Sequence, residues 1–117
     1  MFVAVVPGGR QIGHGHPCYV IAELSANHNH DFDRAVRLVD AAKAAGADAV
    51  KLQTYTADTL TIDCDDRPFQ IGVGTIWEGR NLHSLYREAF TPWEWQPKLK
   101  DYANELGMDC FSTPFDK

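Results

Sequence analysis

Apolar residues recur along this chain at two alternating spacings, every second position in short runs and every third or fourth in longer ones. The runs "CYVIAELS" (18–25), "DAVKLQTY" (48–55) and "DCFST" (109–113) read as strands. Between the first two, Phe32, Ala35, Val36, Val39 and Ala42 mark one face of a helix over "FDRAVRLVDAAKAA", with Asp31 placed to cap its start and Gly46 to stop it. Between the second and third lie a long polar, Gly-containing segment over 56–80, a short helical piece at "LHSLYREAF", and a second long helix. Thr91, Pro92 and Glu94 predict the start of that helix as capping residue, first-turn proline and following acid, and Gly107 closes it after Leu106. At the front, "MFVAVV" and "RQIGHG" flank Pro7, Gly8 and Gly9 as a small hairpin. No internal repeat is visible.

Strand, helix, strand, helix, strand implies parallel pairing with right-handed crossovers, an α/β fold. A doubly wound dinucleotide-binding sheet would place a Gly-rich turn after its first strand, but the turn here is "SANHNHD", without a glycine. The alternative is a β/α barrel, whose reactive groups sit at the C-terminal ends of the strands. The predicted organisation is a hairpin over 1–16 followed by an incomplete TIM-barrel domain over 17–117.

Composition narrows the function. The chain has 117 residues, 44% hydrophobic and 23% charged, an ordinary make-up for one folded domain. Its net charge of -5 speaks against a nucleic-acid partner. The apolar start is too short for a signal segment and no run is long enough to cross a bilayer, so no membrane partner is expected and the expected location is cytoplasmic. Cys18, Cys64 and Cys110 are odd in number and form no C-x-x-C pair, and so read as reduced packing residues.

Chemistry gathers at the strand ends. In "DAVKLQTY", Val50, Leu52 and Thr54 share one face while Ala49, Lys51, Gln53 and Tyr55 share the other, so a strand with one greasy face carries an ammonium on its second. An ammonium removed from water needs an anionic partner. That partner is either a structural salt bridge or a ligand. Glu23 and Ser25 end the first strand, Ser112 and Thr113 the third; with Lys51 and Gln53 they converge on one end of the sheet. A lysine with serine and threonine hydroxyls beside it suits a phosphate or carboxylate, and Glu23 suits orienting a sugar hydroxyl or exchanging its proton. His14 with His16, and His28 with His30, have an i, i+2 spacing that suits pinching a metal, but no third ligand is evident; Trp77, Trp93 and Trp95 read as packing anchors.

The segments "IAELSANHNHD", "GADAVKLQTYTADTL", "GTIWEGRNLHSLYREAFTPWEW" and "GMDCFSTPFD", which run from about Tyr19 to Asp116, resemble the sialic acid synthase family and within it the pseudaminic branch. The resemblance implies a (β/α)8 TIM-barrel transferase that condenses phosphoenolpyruvate with an amino sugar and releases phosphate. For that branch the sugar is 2,4-diacetamido-2,4,6-trideoxy-L-altrose; N-acetylneuraminate and legionaminate synthases are the alternatives. It further implies a divalent metal, Mn2+ or Mg2+, held by ligands outside this chain, a C-terminal antifreeze-like domain also outside it, and a homodimer. Carried over position by position, it puts Lys51 and Thr113, with Ser112, at phosphoenolpyruvate, and Glu23 and Gln53 at the amino sugar. Asn27 and His28 fall in the loop over the barrel mouth. His30 stands where the family has glycine, which strains the loop if that position takes a positive φ. Asp116 closes the "STPFD" motif, where it either holds the last loop or contacts substrate. With three of the eight strands a barrel needs, the chain alone is expected to be inactive. Outside the family, two readings stand beside this one: a sugar-phosphate barrel using Lys51 as a Schiff base, and a non-catalytic module that binds a partner through its open sheet edges.

Overall fold

The computed structural model describes residues 3–6 and 8–117; Met1, Phe2 and Pro7, which the sequence places in the hairpin, lie outside the described residues. Strands β1 (Val3–Val5) and β2 (Gln11–Gly13) pair antiparallel. Three further strands, β3 (Ile21–Glu23), β4 (Ala49–Thr54) and β5 (Asp109–Pro114), form a parallel sheet with β4 in the middle. Helices α1 (Phe32–Ala44) and α4 (Trp95–Glu105) make the two crossovers, and α2 (Ala57–Leu60) and α3 (Leu82–Ala89) lie within the second. Residue by residue, Ile21 stands beside Ala49, and Ala49 beside Asp109.

Helix α1 begins and ends where its sequence says. The Asp31 side chain accepts from the Arg34 N–H, and Ala35, Val39 and Ala42 form the buried stripe at helical spacing. These three pack with Leu99 and Ala103 of α4 and with Val50 and Leu52 of the sheet. Full burial of side chains the size of Val39, Val50 and Leu99 stabilises the fold by roughly 1.5–3 kcal/mol each. The core therefore lies between the helices and one face of the sheet.

Both long helices stop in the same way. Gly46 (φ +85°) donates to the Lys43 carbonyl while Ala47 reaches back to Ala42; Gly107 (φ +75°) and Met108 repeat this with Asn104 and Ala103. An aspartate follows each, Asp48 and Asp109, and opens the next strand. A short structural repeat, Gly-x-Asp, thus exists where the sequence shows no obvious repeat. At this N-terminal end of the sheet, Arg10 from the hairpin pairs with Asp48 and donates to the Cys18 carbonyl, and the Tyr19 hydroxyl donates to Asp109 at 2.6 Å. The Val20 N–H, ahead of the Arg10 guanidinium, holds the Asp48 carboxyl below its ordinary range. Burial and then the bond to Asp109 push the Tyr19 phenol up to about 12. The hairpin is latched to the sheet by charge.

The first strand is shorter than its apolar run, Ile21–Glu23 within 18–25, and the second crossover also departs from the prediction. Helix α4 starts at Trp95, not near Thr91, because the Thr91 hydroxyl is engaged elsewhere: it sits 2.9 Å from Nε2 of the buried His28. The polar segment also contains α2, which starts at a capping box in which Thr59 Oγ1 accepts from the Thr56 N–H at 2.9 Å. In the loop after β3, Nδ1 of His28 accepts from the His30 N–H at 3.1 Å, so Nε2 carries the proton and donates to Thr91. His30 has φ +56°, in the left-handed region that disfavours a side chain, and Asn29 (φ +50°) precedes it there. The His30 ring is held edge-on to Phe90 at 4.9 Å, which helps keep the strained turn in place.

Gly46 has open space where a Cβ would stand, so a Gly46→Ala change tests backbone strain alone; it is expected to lower stability by about 1 kcal/mol in a urea titration. Burial, and secondarily the neighbouring His30, lower the pKa of His28. Its unfolded form therefore binds a proton more readily than its folded form. The resulting stability is present above about pH 6.5 and falls as pH drops below that value. Denaturation midpoints measured from pH 7.5 to 5 should decline, and a His28→Gln variant should flatten that slope while lowering stability at pH 7.5.

Candidate active site

Because the sheet is parallel, all three strands present their C-terminal ends together, and their alternation sorts the side chains. Val50, Leu52 and Thr54 face the helix layer. Lys51 and Gln53 face the other way, onto the surface that a closed barrel would enclose. In register, Glu23, Lys51 and Phe111 form one row on this surface, and Gln53 and Thr113 form the next row toward the strand ends. Ideal strand spacing puts the Lys51 and Thr113 Cα atoms about 8 Å apart, a span a small dianion bridges.

Lys51 does not stand unpaired. Its Nζ is 2.7 Å from Glu23 Oε2, and both side chains are about a third exposed, at 33% and 34%. The second carboxylate oxygen of Glu23 accepts from the Ser25 N–H at 3.3 Å. Ser25 takes φ +47°, which turns the chain sharply after the strand and brings its N–H back over Glu23.

Above these rows opens a cleft of about 560 Å³, which shares Gln53 with the site. Asn27 and Asn29 from the loop after β3, Arg34 from α1, and Tyr55, Trp77 and Tyr86 from the second crossover also line it. Tyr55 is buried, with its ring edge-on to Tyr86 at 5.7 Å, and burial raises its pKa. The Arg80 guanidinium lies 5.5 Å from the centre of the Trp77 ring. Amides, aromatic faces and one cation suit a polyhydroxylated ligand bearing acyl groups.

The structure brings together Glu23, Lys51, Gln53 and Thr113 and leaves two expected members out. Ser112 is on the opposite face, since it neighbours Thr113 in a strand; its hydroxyl lies 2.6 Å from that of Thr54, which donates to Gln96 Oε1 at 2.9 Å. His28 is turned into the core, with both ring nitrogens engaged as described above, while Asn27 beside it faces the cleft and donates to the Leu24 carbonyl. Asp116 accepts from the Lys117 N–H at 2.7 Å. Trp95 is a packing anchor among His28, His30 and Phe32, but Trp77 lines the cleft instead. Arg34, Asn29 and Tyr86 went unnoticed in the sequence because nothing in their spacing sets them apart from helix and loop surface.

Among the described residues no three His, Cys, Asp or Glu side chains stand together to hold an ion. His28 has no free nitrogen. The second buried histidine, His83, is 2.8 Å from Asp58 and lies in the second crossover, off the strand ends. These residues do not fit a divalent ion.

Comparison with known proteins gives this geometry a context. A family model described as "NeuB family" matches residues 38–117. The pseudaminic acid synthase of Campylobacter jejuni is 48% identical over 99 residues, which are 85% of this chain and 29% of that protein. The N,N'-diacetyllegionaminic acid synthase of Legionella pneumophila is 35% identical over 112 residues, 96% of this chain and 31% of that one. In three dimensions the chain matches the N-acetylneuraminic acid synthetase of Leptospira borgpetersenii, solved in complex with citrate, with a TM-score of 0.72 and 26% identity, over 98% of this chain and 35% of that one. The chain thus spans about a third or less of the length of these proteins. The match includes β4, α4 and β5, the elements that carry Lys51, Gln53 and Thr113. By sequence and by fold, the chain belongs to the NeuB family.

Proposed function

We propose that this chain supplies the phosphoenolpyruvate-facing first part of a nonulosonic acid synthase of the pseudaminic type. The observation that carries the reading is the shared inner face of Glu23, Lys51, Gln53 and Thr113 at the C-terminal ends of three parallel strands. The relatives named as pseudaminic acid synthases support the choice of branch. In this reading the Lys51 ammonium and Thr113 hydroxyl hold the anionic oxygens of phosphoenolpyruvate, and fixed cationic and hydroxyl donors stabilise them throughout the reaction. Gln53 and the amides of the cleft orient the amino sugar, 2,4-diacetamido-2,4,6-trideoxy-L-altrose, with its aldehyde toward C3 of the enol ester.

The C2=C3 π pair of the enol ester forms the bond from C3 to the aldehyde carbon, which leaves C2 as an oxocarbenium ion while the aldehyde oxygen takes up a proton. Water adds at C2 and gives up a proton, and the C2–O bond to phosphate then breaks from the tetrahedral centre to leave a nine-carbon 2-keto acid. Glu23, next to Lys51, is the carboxylate placed to exchange a proton with a sugar hydroxyl. The family's divalent metal, a homodimer and a cytoplasmic setting accompany this reading; the metal ligands belong to parts outside these 117 residues.

The reading in which Lys51 forms a Schiff base fits less well. A nucleophilic lysine is a desolvated neutral amine or neighbours another cation, whereas Lys51 is ion-paired and a third exposed.

Calorimetric titration of the chain with phosphoenolpyruvate tests the proposal. A charge-assisted bond worth about 1.5–3 kcal/mol predicts that Lys51→Met weakens binding about 10- to 100-fold. Equal binding by the variant would dismiss Lys51 as the anion's receptor. The 117-residue chain by itself is expected to release no phosphate from phosphoenolpyruvate in response to the amino sugar; a colorimetric phosphate assay checks this, and sugar-dependent release would overturn it. Borohydride should trap no adduct on Lys51 with a carbonyl substrate.

A further inference from the structure

The Lys51 ammonium is neutralised by this chain's own Glu23, in a pair that stands open on the inner face of the sheet. We infer that Glu23 is a resident counter-ion, displaced from Lys51 when the doubly anionic enol ester binds, so that its carboxylate is released for the amino sugar only after the anion is seated. The inference deepens the function proposed above and rests on it.

Three observations carry the exchange. Glu23 and Lys51 are register neighbours on adjacent strands and point to the same inner face, so the carboxylate takes up ammonium contacts that a ligand on that face would need. Both are a third exposed, and an ion pair that water still reaches is weak enough to be broken by a competitor. A ligand with two anionic groups competes well, because the Thr113 hydroxyl on the same face receives its second group while Lys51 receives the first. Among the described residues no other cation pairs with Glu23 and no other carboxylate pairs with Lys51.

The third observation concerns where the displaced carboxylate goes. Its second oxygen is tethered to the Ser25 N–H, and that N–H is fixed by the left-handed turn at Ser25. Ser25 also lines the cleft. On losing Lys51, the carboxylate keeps this one bond and pivots about it toward the cleft that the sugar would fill. Binding is then ordered, anion before sugar, and the proton-accepting group is exposed only when the enol ester is already in place.

The test compares phosphoenolpyruvate binding by the full chain and by Glu23→Gln, which keeps the shape and the Ser25 acceptor but removes the charge. Loss of a competing, partly exposed ion pair should tighten binding about two- to fivefold. Unchanged or weaker binding overturns the exchange and leaves the anion site standing. If neither protein binds phosphoenolpyruvate, the site reading itself falls and the exchange with it. Because the variant is open to misfolding, carboxyl-carbon NMR of the unaltered chain gives a second measure. The Glu23 Cδ resonance should move on titration and saturate with the calorimetric Kd; a stationary resonance during saturable binding overturns the inference.

Discussion

Strand β4 pairs on both edges with parallel neighbours, and in that position its two faces cannot be alike. Helices α1 and α4 close over one face with Val39, Ala42, Leu99 and Ala103 against Val50 and Leu52. Whatever is polar in the strand is thereby committed to the opposite face. Lys51 and Gln53 are there because the residues between them are in the core, and a slip of one residue in register would exchange ammonium for leucine. The same alternation, carried across the ladder, aligns Glu23 with Lys51 and Thr113 with Gln53. The burial that stabilises the sheet also assembles the site.

Much of this was legible because it depends on local periodicity. The two-residue alternation of "DAVKLQTY" separates core from site without any knowledge of neighbours, and Asp31 and Gly46 bound α1 in the sequence as they do in the structure. What was not legible depends on partners distant in sequence. Thr91 has the form of a helix cap, yet His28, 63 residues away, claims its hydroxyl. Ser112 and Thr113 look equivalent as adjacent hydroxyls, and only the register to β4 tells that one meets Thr54 while the other faces the hollow. His30 in place of a glycine predicts strain, and it does adopt a left-handed backbone; its support by Phe90 depends on a contact 60 residues away that no local pattern carries.

The two ends of the sheet divide their duties. At the N-terminal end, Asp48 and Asp109 follow identical helix stops; Asp48 fastens the hairpin through Arg10, and Asp109 accepts from Tyr19 just ahead of β3, consistent with the stabilising role that end plays in barrels. At the C-terminal end the polar groups of the inner face are less completely paired. Glu23 and Lys51 satisfy each other across one strand boundary, in a geometry that leaves both reachable from the hollow.

The crossover from β4 to β5 is twice as long as that from β3 to β4, although both end in the same Gly-x-Asp step. The surplus holds Trp77 and Tyr86, a wall of the cleft, and little of it enters the core between helices and sheet. The long crossover therefore builds one wall of the cleft, while the loop after β3, helix α1 and strand β4 supply the other through Asn27, Asn29, Arg34 and Gln53. An excursion hung between two staves can change the shape of that wall without disturbing the register that carries Lys51.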